Sequence, residues 1–205
     1  FGENTVLDTL SYMVPPGGTT TQRGRGRGVL GGGAPFVSPN VISNMQYIEV
    51  QSGGIFKDFG DLTVARGYFP AGQTASSTRG ISAGGWTGSG NNTIDYITIA
   101  TTGDATNFGD LTALVYATTS CSNSTRGVIM GGTNPSGDTN VINYVTIATT
   151  GDATDFGDIT AARADGAGVA SPTRGLMVGG DPATNTIDYI TIATTGNASD
   201  FGDAS

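Results

Sequence analysis

The sequence lacks the residues on which most catalytic and metal-binding sites depend. It contains no histidine and only one cysteine, Cys121. Histidine-based catalytic triads, histidine-ligated metals, thiolate clusters and an internal disulfide are therefore excluded. We predict that the protein is not an enzyme and holds no cofactor, and we interpret Cys121 as a small buried side chain.

Residues that favour helices are almost as rare. Lys57 is the only lysine, and Glu3 and Glu49 are the only glutamates, whereas glycine supplies 34 of the 205 residues. Much of the remainder is threonine, alanine, aspartate and asparagine, which suit short strands joined by tight turns. The composition predicts an all-β protein.

Positive charge and long apolar segments are also missing. The formal net charge is −8, which argues against a nucleic-acid partner because phosphate binding needs clustered Lys or Arg. The one basic run, RGRGRG at 23–28, is interpreted as a solvated loop that enters a strand. No apolar stretch approaches about 18 residues, so we predict no membrane span. The chain begins at Phe1 without an initiator Met or a leader, which is typical of part of a longer or processed product.

What the sequence does contain is a repeat of roughly 48 residues. An Arg-Gly pair, an apolar run and a Gly-Gly pair recur four times, and each is followed by a tyrosine and then by Phe-Gly-Asp. A fixed period in this range indicates a repeat architecture. We predict four units within one domain, at about 1–58, 59–107, 108–155 and 156–205. The landmarks are Arg27, Arg79, Arg126 and Arg174, then Tyr47, Tyr96, Tyr144 and Tyr189, then Phe59, Phe108, Phe156 and Phe201.

Each unit is predicted to contain four short strands. The apolar run, 128–130 in the third unit, suits a strand buried on both faces. The run at 93–102 also carries large apolar side chains on both faces. A weaker outer strand at 158–163 and one more strand before the next Thr-Arg-Gly complete the four.

Sheets that are apolar on both faces must be covered on both, so neighbouring units are predicted to stack face to face. Radial stacking gives a propeller, and linear stacking gives a solenoid. A period in the high forties with four strands favours the β-propeller.

The order of these landmarks resembles the kelch repeat. In the third unit the resemblance rests on VIMGG at 128–132, Asn140, Tyr144, Phe156 and the Ala-Arg at 162–163. The aromatic is Phe where kelch units generally have Trp, and the second unit has Leu-Val at 114–115 in place of Ala-Arg. The resemblance implies kelch-like four-stranded blades.

The amino-acid sequence of the repeat shows a second resemblance. TIATTGDATDFGDIT at 146–160 is similar to repeats in tail-fibre and other virion proteins of marine bacteriophages. The kelch likeness leaves two ring sizes open. Either four blades close the ring, with a strand at 8–10 completing the last blade, or the chain is part of a ring of six to eight blades.

Acidic residues recur with a spacing of three, as in Asp152, Asp155 and Asp158. Oxygen ligands at such spacing in a glycine-containing loop suit Ca²⁺, but we favour a role in capping turns. No metal is therefore favoured. Arg79, Arg126 and Arg174 could recognise an anionic ligand, but we interpret them as structural residues that pair with an acidic group of a neighbouring blade.

The loops after each double glycine differ most between units, and variable loops on a constant framework are typical of binding sites. They span 34–40, 86–91, 133–138 and 181–184. Trp86 is the natural anchor for a sugar or protein, or else it packs under its own loop. The candidate ligand-binding residues are Trp86, Asn91, Asn134, Asp138 and Asp181.

We hypothesise a phage virion component, a tail fibre or surface-decorating propeller that binds a host-surface glycan or protein. Its expected location is the virion or the extracellular space, within a larger assembly of virion or structural proteins. The alternative is a cellular or secreted kelch-like scaffold for protein partners. Fold alone does not decide between them.

Overall fold

The computed structural model describes residues 26–33, 41–50, 54–67 and 72–205. These residues form β-strands and no α-helix, so the predicted all-β class is confirmed. Within the same ranges there is no helix that could cross a membrane. The strands are β1 (Arg27–Gly33), β2 (Ile42–Glu49), β3 (Lys57–Asp61), β4 (Gly72–Ala75), β5 (Arg79–Ala83), β6 (Asn91–Thr98), β7 (Thr106–Val115), β8 (Thr119–Ser122), β9 (Arg126–Met130), β10 (Thr133–Asn134), β11 (Gly137–Asp138), β12 (Val141–Thr146), β13 (Thr154–Asp158), β14 (Ala167–Ala170), β15 (Arg174–Val178), β16 (Thr186–Thr191) and β17 (Ser199–Asp203).

The strands form one antiparallel sheet per repeat. The second unit is β4-β5-β6-β7, the third is β8-β9-β12-β13 and the fourth is β14-β15-β16-β17, while β10 and β11 form a separate hairpin. Four strands per unit are thus confirmed for these three units. The first unit shows β1-β2-β3, and the position equivalent to its first strand, 20–23, lies outside the described residues. The strand predicted at 8–10 and the loop at 34–40 also lie outside them.

The fourth strand of each unit begins earlier than predicted, and only in the second unit does it extend through the predicted region, to Val115. In the third unit it is β13, and the chain leaves the sheet after residue 158, so the outer strand predicted at 158–163 is wrong. The reason is that Ile159 and Arg163 turn inward and are buried against the fourth unit. The predicted unit boundaries after 58, 107 and 155 each fall inside a fourth strand.

In the third unit the second strand is the most buried of its sheet, as the run before the double glycine predicts. In β9 the four residues after Arg126 are all buried. They pair with β12 in register, Val128 opposite Tyr144 and Met130 opposite Ile142. Alternate side chains therefore enter opposite faces of the sheet, and both faces need cover.

The hydrophobic core lies between sheets, at what we call the junctions of consecutive units. At the second junction Ile94 and Phe108 of the second unit pack against Ile129 and Ile147 of the third. At the first junction Ile97 of the second unit packs against a separate core cluster that contains Phe59 of the first unit. The predicted face-to-face stacking in sequence order is therefore observed, and the described sheets form no closed ring. The third junction joins Val128, Met130 and Phe156 to Met177, Ile190 and Ile192.

Each junction also closes the edge of the preceding sheet. Gly151 N donates to Phe108 O at 2.8 Å, and Ala153 N donates to Asp110 O at 2.8 Å, so a loop of the third unit pairs with β7. The approach is so close that a Cβ on Gly109 would lie 2.4 Å from Gly151 O. A glycine is required there, and an exposed sheet edge is avoided.

Candidate binding edge

The loops after the double glycines begin from one common structure. Trp86, Thr133 and Asp181 occupy equivalent positions, seven residues after Arg79, Arg126 and Arg174. Each forms a two-hydrogen-bond antiparallel bridge to the chain segment that links its unit to the preceding one. We call this side of the array, defined by the loops at 86–91, 133–138 and 181–184, the binding edge. The bridges are Gly67 with Trp86, Tyr116 with Thr133 and Ala164 with Asp181, at 2.8 to 3.0 Å.

Two of these bridges each have a buried Arg–Asp ion pair directly beneath them. Arg163, which precedes Ala164, donates from Nη2 to Asp188 Oδ2 at 2.9 Å, and both side chains are at most 2% exposed. Asp188 also accepts hydrogen bonds from the hydroxyl and the backbone N–H of Thr160, at 2.7 and 3.0 Å. Arg163 and Thr160 of the preceding unit thus give the Asp188 carboxylate the counter-charge and hydrogen bonds that a buried charge requires.

The first junction has the same arrangement. Arg66 and Asp95 are 3.0 Å apart and almost fully buried. Burial lowers the pKa of Arg66, and the neighbouring Asp95 carboxylate acts in the opposite direction. The hydroxyl of Thr63 completes the site by donating to Asp95.

The second junction has no such charges, because both partners are replaced together. Val115 stands where the other junctions have Arg, and Asn143 stands where they have Asp. Asn143 Oδ1 accepts a hydrogen bond from the Thr112 hydroxyl at 2.7 Å. The loss of Ala-Arg at 114–115 is plain in the sequence, but the matching change at residue 143 was not predicted. The signal was the residue before the repeated tyrosine, which is Asp in units that follow an Arg and Asn in the unit that does not.

Trp86 is half-buried at the root of its loop. Its backbone pairs with Gly67 on one side and with Gly90 on the other, so the loop turns tightly around it. The neighbouring loop residues 87–89 are exposed. The tryptophan therefore has a fixed backbone next to a solvent-exposed turn.

The other four predicted ligand residues also lie at the binding edge, in three different units. Asn91 Oδ1 accepts from Thr93 N at 2.7 Å, and Asn134 Oδ1 accepts from Ser136 N at 2.8 Å. Asp138 accepts from the Thr133 hydroxyl across the β10–β11 hairpin. Asp181 is exposed and forms its bridge through its backbone. Asn91, Asn134 and Asp138 therefore shape their own loops.

The acidic residues at spacing three are shared between units instead of forming a loop site. Asp152 Oδ1 accepts from Asp110 N of the preceding unit at 3.0 Å, and Asp158 N donates to Asn197 Oδ1 of the following unit at 3.1 Å. Asp155 lies in β13 opposite Asn143. Among the described residues, no group of three His, Cys, Asp or Glu side chains could hold a metal ion.

Arg79 and Arg126 bind the following unit through backbone carbonyls, so the acidic partner predicted for them is wrong. Arg27 does form an ion pair, with Glu49, but within its own unit. Arg79 Nη1 donates to Ile147 O at 3.1 Å and to Ala148 O at 2.9 Å, and its guanidinium lies 4.5 Å from the centroid of Tyr96. The carbonyls at the end of the next unit's Tyr strand are the acceptors within reach, and the tyrosine ring covers the cation. The structural role is nevertheless as predicted. The equivalent contacts are Arg27 with Ile99 and Tyr47, and Arg126 with Ile192 and Tyr144.

A cavity of about 520 Å³ lies between the first two units and the first strands of the later units. At the second junction Thr74 of β4 lies against Gly127, where a Cβ would be 2.6 Å from its methyl carbon. The equivalent glycine at the first junction, Gly80, lines the cavity. The cavity thus lies at the first-junction position that corresponds to β4 at the second junction and to β8 at the third.

Cys121 lies beside this cavity and is buried, as predicted. Burial raises the pKa of its thiol to about 12. A thiol held neutral in this way is a packing group and a poor nucleophile.

Neither the models of known protein families nor the curated protein sequences give a match to this chain.

Proposed function

We propose that the chain is a non-enzymatic structural and recognition module whose binding edge contacts a glycan or protein on a host surface. Its units act as kelch-like blades of a β-propeller, either a ring of four or part of a larger ring. The module belongs to a virion, as a tail fibre or a surface decoration, within a larger assembly.

The single observation that supports recognition is the contrast between junctions and loops. Three junctions repeat the same backbone pairing, the same Arg–Tyr contact and the same Thr–Asp or Thr–Asn contact. The loops that start from the common bridge nevertheless differ in length and chemistry: a tryptophan turn, a two-stranded hairpin and an Asp-Pro turn. A constant scaffold that presents different loops on one side is the usual arrangement of a binding protein.

The chemistry of these loops favours a neutral, hydroxyl-rich ligand. Trp86 supplies a large amphipathic ring, which suits the apolar face of a sugar. Asp138 and Asp181 are exposed acceptors for sugar hydroxyl groups. With a net charge of −8, an anionic ligand such as nucleic acid is disfavoured. The virion assignment rests on the resemblance of the repeat at 146–160.

The proposal is tested by binding of the fluorescently labelled chain to intact host-range bacteria and to an array of their surface glycans. Trp86→Ala is expected to reduce binding by about tenfold or more if Trp86 is an anchor. Ser124→Ala is the matched control, because Ser124 is exposed in the β8–β9 turn at the opposite side of the array. Binding only to a purified cellular protein would favour the scaffold alternative, and equal binding by Trp86→Ala, Asp138→Ala and Asp181→Ala would overturn the binding edge.

A further inference from the structure

The linker between the second and third units, residues 114–116, differs from the other two described linkers. It carries leucine and tyrosine at positions where they carry only alanine or glycine. Leu114 is 44% exposed and Tyr116 is partly exposed, whereas Val115 between them is buried. Leu114 and Tyr116 therefore point outward from the same side of the extended linker. The equivalent pairs in the other linkers are Ala65 with Gly67 and Ala162 with Ala164.

This linker joins the variable loops of two units into one surface. On one edge, Gly85 N at the root of the loop at 86–91 donates to Val115 O at 2.9 Å. On the other edge, Tyr116 N donates to Thr133 O at 3.0 Å, and Thr133 N donates back to Tyr116 O at 2.8 Å. The linker is thus the strand between the loop of the second unit and the β10–β11 hairpin of the third, and a ligand bound on it adjoins both.

The register places the side chains of Tyr116, Thr133 and Asp138 in one row. Tyr116 lies opposite Thr133, and Thr133 lies opposite Asp138. Directly opposed residues of antiparallel strands share a face of the sheet. The Thr133 hydroxyl donates to Asp138 Oδ1 at 2.8 Å, which holds the exposed carboxylate in place. From Tyr116 to Asp138 the row covers two strand spacings, about 10 Å.

We propose that this row, extended by Leu114, binds a neutral sugar of the glycan that the binding edge contacts. We call Leu114, Tyr116, Thr133 and Asp138 the central subsite. Its two halves match the two chemical sides of a sugar: the apolar C–H face packs on Tyr116 and Leu114, and the hydroxyl groups at the ring edge donate to Asp138. The inference rests on the proposed function, because it assigns the glycan contact of the binding edge to one junction.

Charge restricts the ligand to neutral sugars. Neither the linker nor the loops at 86–91 and 133–138 contain lysine or arginine, and Asp138 is the one charged residue among them. The arginine of the other two linkers is Val115 here. A sugar that carries a carboxylate or a phosphate would bring a second negative charge next to Asp138 without a counter-charge. Such sugars should therefore be rejected.

The other linkers supply a variant that should leave the fold intact. Leu114→Ala with Tyr116→Ala gives this linker the two alanines of the third junction, where the same kind of backbone bridge forms between Ala164 and Asp181. Tyr116→Phe keeps the aromatic ring. Val169→Ala is the matched control, because Val169 is 51% exposed in β14, outside the binding edge.

The experiment is a titration of the ¹⁵N-labelled chain, followed by amide chemical shifts. The probes are neutral oligosaccharides of glucose, galactose and mannose, and sialylated oligosaccharides as their acidic counterparts. We expect a neutral probe to shift the amides of 114–116 and 133–138 and the sialylated probes to shift neither. The double variant should weaken this binding by about tenfold or more, whereas Tyr116→Phe and Val169→Ala should leave it nearly unchanged. Equal melting temperatures show that the variants are folded.

Three outcomes would overturn the central subsite. Shifts confined to the loop at 181–184, with binding that the double variant leaves unchanged, would move the sugar elsewhere on the binding edge and leave the proposed function standing. Preference for the sialylated probes would exclude a neutral ligand. With no shift by any probe, the inference fails, and the labelling of intact host bacteria then decides whether the proposed function fails with it.

Discussion

Replacing Arg163 by Val should destabilise the protein strongly, because it leaves the Asp188 carboxylate buried without a counter-charge. Asp188 is 1% exposed, and its remaining partners are the hydroxyl and the N–H of Thr160. Removing one member of a buried ion pair costs about 3–5 kcal/mol of the free energy of unfolding. Asp188→Asn should cost a similar amount, since it leaves the Arg163 guanidinium unpaired in the same site.

The double variant Arg163→Val/Asp188→Asn should recover most of this loss, because it copies the Val115–Asn143 junction. We expect a residual cost of about 1–2 kcal/mol, from the lost guanidinium bonds to Gly179 O and Ala161 O. Urea unfolding at pH 7, followed by far-UV circular dichroism and by Trp86 fluorescence, gives the three values. Simple addition of the two single costs in the double variant would refute the coupling. As a reciprocal check, Asn143→Asp should destabilise the charge-free junction, and increasingly so as the pH rises and its carboxyl ionises.

Further predictions compare internal junctions with the outer face of the fourth unit, which no other described unit covers. Arg126→Ala removes a bond to Ile192 O and the contact with Tyr144, so it should cost about 1–2 kcal/mol, whereas Arg174→Ala should cost under about 1 kcal/mol in urea unfolding at low protein concentration. Gly157→Ala should lower the melting temperature more than Gly202→Ala, because both have positive φ but only Gly157 faces the backbone of the next unit. Cys121 should resist thiol reagents at pH 8 until the protein unfolds. Its pKa is raised from 9.0 to about 12, so the unfolded chain ionises first, and the free energy of unfolding should fall by about 1.4 kcal/mol per unit as the pH rises from 9 towards 12. Cys121→Ala should abolish that slope.

The sequence predicted those parts of the fold that depend on local pattern. The fold class follows from the composition, and the number of repeats follows from the period. The buried strand before each double glycine and the stacking of units follow because strand side chains alternate between two faces, and each apolar face must be covered. The buried state of Cys121 was predicted from the residue type, because a free cysteine usually packs as a small apolar side chain.

Contacts between units were harder to predict, because they depend on which atoms meet across a junction. The prediction of an outer strand at 158–163 was wrong because Arg163 leaves the sheet edge to pair with Asp188 of the next unit. No pattern within a single unit indicates this partner. The prediction of an acidic partner for the repeated arginines was wrong for a similar reason. Arg79 donates to the backbone carbonyls of Ile147 and Ala148, and backbone carbonyls are present whatever the sequence. The joint change at 115 and 143 could have been found by comparing the four units column by column.

The physics of the junction also explains how the binding edge can vary without loss of the fold. The bridges that hold Trp86, Thr133 and Asp181 use only backbone N–H and C=O groups, so they place no demand on the side chain at those positions. Stability comes instead from the buried polar contacts and apolar core directly beneath them. A new loop therefore costs little provided that its first residue can adopt the bridge conformation. This separation predicts that exchanging the loop at 86–90 for the hairpin sequence at 133–138 should change what the protein binds much more than it changes the free energy of unfolding, and a large loss of stability would show that loop and junction are coupled.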